Sequence, residues 1–106
     1  MDTMTRDRES TMALLVEYLG QINNEEHVFE IDGGRKYVRV MHEHAKYGGS
    51  SVHMFVGMAD GIWGDIYKPA NLKAPALNGA RYNLFDDGVE AIAAAHDWAG
   101  GYLYKR

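Results

Sequence analysis

The stretch that decides the fold is residues 61–83, GIWGDIYKPANLKAPALNGARYN. It leaves a turn, passes through a short apolar and aromatic run, and then meets two prolines. Pro69 and Pro75 lack the amide donor that a central strand needs, so the strand must end before them. We therefore predict a short strand followed by an extended surface segment over residues 68–81, which we call the strap.

Upstream of this stretch, the run HVFEIDGGRKYVRVMHEH at residues 27–44 indicates a β-hairpin. Glycine reaches the positive φ angles of a tight turn without steric cost, so Gly33-Gly34 is the expected two-residue loop. This loop places Phe29 opposite Val38, and side chains then alternate between the two faces of the sheet. The expected core side carries Phe29, Ile31, Val38 and Val40, and the other side carries Val28, Glu30, Tyr37 and Arg39.

A third strand is predicted from the run SVHMFVGM at residues 51–58. Apolar aliphatic side chains alternate here with His53 and Phe55, which places His53 and Phe55 on the side away from the core. The aliphatic set that should face the core is Val52, Met54 and Val56.

The fourth strand, IWGDIYK, leaves two registers open. A tight Asp-Gly turn before it places Trp63 and Tyr67 on the same face as Met54 and Val56, whereas a slip of one residue places both of them on the face of Phe55.

Helices are predicted near both ends of the chain. Residues 5–24 carry apolar side chains at helical spacing, with Thr5 as the N-cap. A second helix is capped by Asp86 or Asp87 and ends at Gly100-Gly101, and the apolar tail after it should dock on the body. The apolar stripes are Met12, Leu15, Val16, Leu19 and Ile22 in the first helix, and Val89, Ile92, Ala93 and His96 in the second.

These elements predict one α+β domain over residues 1–106. Their order is a helix, a four-stranded antiparallel meander, the strap and a helix, with the sheet covered on one face. A chain of 106 residues is long enough for one domain and its core.

The composition excludes several classes of protein. The chain has no cysteine, which excludes disulfides and cysteine-based zinc sites. Its net charge of −4 argues against nucleic-acid affinity that rests on bulk charge. Residues 1–10 lack the apolar run of a signal peptide, and no segment approaches the ~18 apolar residues of a membrane span. We expect a cytoplasmic protein with no membrane partner.

The first candidate site is the sheet face opposite the helices. Aromatic rings on an open sheet suit base stacking, and basic neighbours suit phosphates, which is typical of a module for single-stranded nucleic acid. The alternative is that these aromatic side chains pack under the C-terminal helix, the strap or a dimer partner, because sheets tend to be covered. The residues of this candidate site are Arg35, Lys36, Tyr37, Arg39, His53 and Phe55.

The second candidate site is the strap. Three positive charges follow one another along it without an intervening acid, and its prolines reduce the entropy lost on binding. The alternative is a solvated connection that merely spans one end of the sheet. The expected contact residues for a partner protein are Trp63, Tyr67, Lys68, Lys73, Arg81 and Tyr82.

Histidines form a third, weaker candidate. His42 and His44 share one face of a strand, and His53 on the next strand could complete a nitrogen-ligand set of the kind that zinc prefers. A solvated strand end is the favoured interpretation, so we expect no metal and no cofactor. Nothing in the sequence resembles an acid-base pair, an activated nucleophile or a phosphate loop, and we expect no enzymatic activity.

The motif around the strap resembles a known group of proteins. Phe55-Val56, the run GDIYKPA at residues 64–70, Pro75-Ala76 and the run RYN at residues 81–83 are similar to a pattern in a family of small bacteriophage and prophage proteins of unknown function. The resemblance covers about the central third of the chain. It implies a viral origin and no particular activity.

Together, the resemblance and the lack of catalytic groups predict a non-enzymatic phage accessory protein in the host cytoplasm. We expect it to bind a host or phage protein as an inhibitor or adaptor, for instance against host defence, as a monomer or small homo-oligomer. The alternative is the single-stranded nucleic-acid module.

Overall fold

The computed structural model describes residues 6–34, 36–59, 62–71, 73–76, 79–97 and 100–104. The elements within these residues are α1 (Arg8–Ile22), β1 (His27–Gly33), β2 (Val38–His44), β3 (Gly48–Ala59), β4 (Ile62–Tyr67), β5 (Tyr82–Asn83), α2 (Val89–Ala95) and a 3-10 helix (Gly101–Tyr104).

The strands form one antiparallel sheet in the order β1-β2-β3-β4-β5, so each strand pairs with the next along the chain. The α+β class is confirmed, but the sheet has five strands and the prediction of four is wrong. The fifth strand is only two residues long and pairs with β4, with Asn83 opposite Asp65. The amide of Arg81 also donates to the carbonyl of Ile66 at 2.7 Å. The strap therefore leaves the sheet at β4 and returns to the same strand.

Helix α1 begins two residues later than the position that a Thr5 cap would set. Its cap is Asp7, whose Oδ1 accepts a hydrogen bond from the Ser10 amide at 2.8 Å; Thr5 lies outside the described residues. Val16 was expected in the apolar stripe but is 61% exposed. Tyr18 is buried instead, because it follows Leu15 at helical spacing on the buried face.

Helix α2 is shorter than predicted and is capped differently. Gly88 occupies the N-cap position with φ 88°, where glycine is favoured, and makes no side-chain cap bond. Asp87 does not cap it: its carboxylate accepts from the Asn83 amide at 2.7 Å. The helix ends at Ala95 because His96 already has extended backbone angles, well before Gly100-Gly101.

One core lies between the helices and one side of the sheet, which we call the helix face. The tail docks into this core, as predicted, since Tyr102 and Leu103 are buried. The cluster is built from Leu15, Tyr18, Leu19, Ile22, Phe29, Val38, Val40, Met54, Val56, Trp63, Ile66, Leu84, Val89, Ile92, Tyr102 and Leu103.

The first hairpin has a longer loop than predicted. Gly33 pairs with Val38, so the strands separate earlier than a two-residue loop requires, and Phe29 faces His42 rather than Val38. The difference in pairing is four residues, an even number, and an even shift preserves which side chains share a face. The predicted core residues are therefore correct, while His42 joins them on the helix face.

A β-bulge in β3 reverses the expected position of His53. Val40 pairs with Met54 and Met41 pairs with Val52, so His53 is the extra residue between the two pairs. Its side chain lies on the helix face and is 6% exposed, which makes its predicted place beside Phe55 wrong.

A second bulge separates Trp63 from Tyr67. Gly57 pairs with Asp65 and the next pair is Met58 with Trp63, which leaves Gly64 as the extra residue at φ 116°. Trp63 consequently joins the core on the helix face, whereas Tyr67 lies on the opposite face. Both predicted registers kept the two aromatic residues on one face, which is wrong. The tight-turn register is correct for Trp63, and the slipped register is correct for Tyr67 opposite Phe55.

Candidate functional site

An open basic cavity of about 300 Å³ lies on the sheet face opposite the helices, which we call the outer face, and Lys73 of the strap lines one side of it. Its three cations come from separate segments: Lys36 from the first hairpin loop, Arg39 from β2 and Lys73 from the strap. The side chains of Lys36 and Lys73 are exposed. The cavity is lined by Gly33, Gly34, Lys36, Tyr37, Arg39, Phe55 and Lys73.

The floor of the basic cavity is aromatic and closed. Phe55 lies between Arg39 and Tyr67 in the sheet register and is only 1% exposed. The Tyr37 ring packs edge-on against both aromatic neighbours, with centroids 6.1 Å from Phe55 and 6.3 Å from Tyr67. A Cβ at Gly57 would lie 2.5 Å from the Tyr37 ring, so only glycine at this position leaves room for the ring. A base cannot stack on Phe55 in this arrangement.

The cations of the basic cavity differ in their surroundings. Arg39 forms an ion pair with Asp32, the residue opposite it on β1. Lys36 places its Nζ 5.7 Å from the centroid of the Tyr37 ring, within reach of a cation–π interaction. Because Asp32 compensates part of the Arg39 charge, the attraction for an anion comes mainly from Lys36 and Lys73.

Hydrogen bonds among the described residues of the strap hold the backbone on both sides of Lys73. Pro69 and Pro75 form an isolated antiparallel bridge, and the amide of Ala76 donates to the carbonyl of Lys68 at 2.9 Å. The Oδ1 atom of Asn71 accepts hydrogen bonds from the Lys73 and Ala74 amides at 2.8 and 3.0 Å. Asparagine stabilises tight turns in this way, so Lys73 is presented from a defined backbone rather than from a loose connection.

The residues predicted to contact a partner protein are not brought together as one set. Lys73 lines the basic cavity and Tyr67 lies beneath Tyr37, but Trp63 and Tyr82 lie on the helix face. The half-buried Lys68 and Arg81 lie at the two ends of the strap.

The predicted nucleic-acid set is largely brought together. Lys36, Tyr37, Arg39 and Phe55 all line the basic cavity. His53 lies on the helix face, and Arg35 lies outside the described residues.

A second cluster contains all five histidines of the chain, at the other end of the sheet. We call it the histidine cluster. His42 is 6.4 Å from His53 between ring centroids, and His53 is 5.3 Å from His96. Nε2 of His42 is hydrogen-bonded to Nδ1 of His27 at 2.9 Å. His27 was missed in the sequence, although its position two residues before Phe29 places it on the same face of β1.

A buried hydrogen-bond chain links four elements within the histidine cluster. Nε2 of His53 is 2.7 Å from the Tyr102 hydroxyl, which is 2.8 Å from the Tyr18 hydroxyl. The Tyr18 hydroxyl is in turn 3.0 Å from Nδ1 of His96. The chain therefore ties α1, β3, the end of α2 and the 3-10 helix together.

Burial controls the protonation of this chain. It lowers the pKa of His53 to about 3 and that of His96 to about 4, because the charged imidazole loses its hydration. It raises the pKa of the Tyr18 and Tyr102 hydroxyls far above their ordinary value for the same reason. Both histidines are thus neutral at pH 7 and both tyrosines keep their protons.

Among the described residues, no helix combines the length and the apolar character needed to cross a membrane.

Three comparisons with known proteins bear on identity. No match was found among curated proteins or among solved structures. A family model does match residues 2–105, nearly the whole chain, and its description is a family of unknown function, DUF7717. The chain therefore belongs to the DUF7717 family.

Proposed function

We propose that this protein is a non-enzymatic binding protein that docks an acidic surface of a host or phage protein on the basic cavity. The observation that carries this proposal is the convergence of Lys36, Arg39 and Lys73, from three separate segments, on one cavity of a chain with net charge −4. An acidic protein does not concentrate cations by composition alone, so their convergence supports a site for an anion. Stoichiometric inhibition or adaptor activity fits such a site.

The viral part of the proposal is supported by the motif around the strap. The runs at residues 64–70 and 81–83 that resemble the bacteriophage family flank Lys73, which presents one of the three cations. An accessory role in the host cytoplasm, for instance against a host defence component, follows from that resemblance.

A partner protein is favoured over single-stranded nucleic acid by the closed floor of the cavity. Stacking supplies much of the affinity for single strands, and it needs an exposed ring. Phe55 is almost fully buried, and the partly exposed Tyr37 packs edge-on against it, with the ammonium group of Lys36 over its ring. Carboxylates on a protein surface need only the exposed ammonium groups of Lys36 and Lys73.

Charge reversal tests the proposal. The double variant Lys36→Glu/Lys73→Glu should lose a partner captured from host lysate by at least about tenfold, since like charges at the contact repel. The matched control is Lys46→Glu, an exposed lysine in the turn at the other end of β2, which should keep the partner. No capture above background by the wild-type protein, or equal loss in both variants, would refute the proposal.

A second measurement separates the two kinds of partner. Fluorescence anisotropy with a labelled single-stranded oligonucleotide is recorded at two salt concentrations. Micromolar binding that weakens with salt and disappears in the double variant would show that phosphates occupy the cavity. We expect no saturable binding of the oligonucleotide.

A further inference from the structure

One end of the β1–β2 pair brings three possible metal ligands together. His27 and His44 are directly opposite each other in the sheet register, and Glu26 immediately precedes His27. One ligand atom from each of the three side chains lies within 4.8 Å of the other two. This arrangement depends on the register, because His44 is far from the other two residues in sequence.

The backbone around these side chains is held on both sides. The Glu26 amide donates to Oδ1 of Asn24 at 2.8 Å, and the Glu26 carbonyl accepts from the Ala45 amide at 2.8 Å. The segment before β1 is thereby fixed to the turn after β2. The side chains of Glu26 and His44 consequently start from defined positions.

His42 orients the ring of His27. Its Nε2 is hydrogen-bonded to Nδ1 of His27, and His27 is buried. Histidine ligands of metal ions generally use their second ring nitrogen for such a bond, which fixes the direction of the coordinating nitrogen. Coordination through Nε2 of His27 keeps this bond, with Nδ1–H donating to His42.

The ring of His44 is held more loosely. Its Nδ1 accepts hydrogen bonds from the amides of Lys46 and Tyr47 at 3.1 and 3.4 Å. The bond from Lys46 has ordinary length, and only the bond from Tyr47 is long. Coordination of a metal through Nδ1 of His44 would replace both bonds, whereas Nε2 accepts a metal only if Nδ1 carries the ring proton.

We propose that Glu26, His27 and His44 bind a divalent first-row transition-metal ion, such as Zn²⁺, reversibly. Two imidazole nitrogens and one carboxylate oxygen are a ligand set that zinc and its neighbours in the row accept. Ligand atoms around a tetrahedral ion are roughly 3.4 Å apart, given metal–ligand bonds of about 2.1 Å. The exposed side chain of Glu26 supplies the closing movement. Water fills the remaining coordination position, which suits an exchangeable ion.

This set differs from the one that the sequence indicated. His42 supports a ligand rather than serving as one, and His53 is committed to the buried chain with Tyr102. The sheet register instead adds His27 and Glu26 to His44.

Calorimetric titration of the full chain with zinc chloride tests the site. The wild-type protein should bind one ion with micromolar affinity. His44→Asn should weaken binding by about 100-fold or more, since even residues that only orient a ligand contribute 10- to 100-fold. Glu26→Gln should weaken it by about tenfold, because an amide is a poorer ligand than a carboxylate.

The matched control is Glu25→Gln, an exposed carboxylate next to the site, which should retain wild-type affinity. Circular dichroism establishes that each variant is folded; both Glu26 and His44 are at least partly exposed, so their replacement leaves the core intact. The proposal is overturned if the wild-type protein shows no saturable 1:1 binding, if His44→Asn retains it, or if Glu25→Gln weakens it as much as Glu26→Gln.

Discussion

Acidification from pH 7 to pH 4.5 should destabilise the fold through His53. Its pKa in the folded protein is about 3, lowered by burial, against 6.5 for an ordinary histidine. Between these two values the unfolded chain binds a proton that the folded protein does not. The free energy of unfolding therefore falls as the pH drops below 6.5, and the His53 contribution levels off below about pH 3.

The size of this loss in the free energy of unfolding depends on how far the pH lies below the pKa of histidine in the unfolded chain. At pH 4.5 the unfolded histidine is favoured by two pH units at about 1.36 kcal/mol each, which gives a loss of about 2.7 kcal/mol from His53. A domain of this size has about 5–15 kcal/mol in total, so the loss is large. The neighbours of His53 act in both directions: His96 and His42 oppose its protonation, whereas Asp97 favours it.

The assay is urea unfolding followed by circular dichroism at several pH values between 7 and 4.5. Stopping at pH 4.5 keeps most carboxylates ionised, since the ordinary aspartate value is 3.8. His53→Gln retains a polar group towards Tyr102 but cannot be protonated, so it should lose about half of the pH dependence. The other half comes from His96, whose pKa is likewise lowered by burial, to about 4.

The control for this assay is His44→Asn, which lies outside the buried chain and should retain the fall. A constant free energy of unfolding from pH 7 to 4.5 in the wild-type protein, or an unchanged fall in His53→Gln, would refute the reasoning.

Three further predictions concern stability. Tyr102→Phe removes a buried hydroxyl that joins two hydrogen bonds, and should lower the free energy of unfolding by about 1–3 kcal/mol in urea. Gly64→Ala should lower the melting temperature more than Gly79→Ala: both have φ near 115°, but only at Gly64 would the new Cβ meet a ring, at 2.7 Å. If the two alanine variants melt alike, that ring contact has no energetic weight. Leu15→Ala should lower the free energy of unfolding by about 2–5 kcal/mol and Val16→Ala by less than about 0.5 kcal/mol, because only Leu15 is buried. Equal losses in the two variants would contradict the orientation of the helix.

Alternation in the sequence was enough to predict which residues of the first hairpin face the core. Phe29, Val38 and Val40 were assigned correctly even though their pairing was not, because the error in register was even. His53 and Trp63 could not be placed in this way. Each lies at or next to a β-bulge. The extra residue of a bulge moves neighbouring side chains to the opposite face of the sheet from the one that strict alternation predicts.

The basic cavity was predicted in pieces. Lys36, Tyr37 and Arg39 were assigned to the outer face, and Lys73 was assigned to the strap as a separate site. Lys73 lines the same cavity as the outer-face residues because the strap folds back over the sheet. Local sequence patterns do not encode this tertiary arrangement. The buried chain with Tyr18 was not foreseen, since it joins residues that are far apart in sequence.

The number of hydrogen atoms in the buried hydrogen-bond chain restricts which nitrogens of its two imidazoles can be protonated. Its three hydrogen bonds need three protons, and the hydroxyls of Tyr18 and Tyr102 supply two. One imidazole must donate and the other must accept, and the chain ends on Nε2 of His53 but on Nδ1 of His96, so the two neutral rings have the same tautomer. Reversal of all three bonds requires both imidazoles to change tautomer, with a proton gained at the outer nitrogen of one ring and lost from the outer nitrogen of the other. If both rings were protonated, one of the two hydroxyl hydrogens would have no acceptor within the chain, so the hydrogen-bond pattern adds to the effect of burial in opposing a second positive charge.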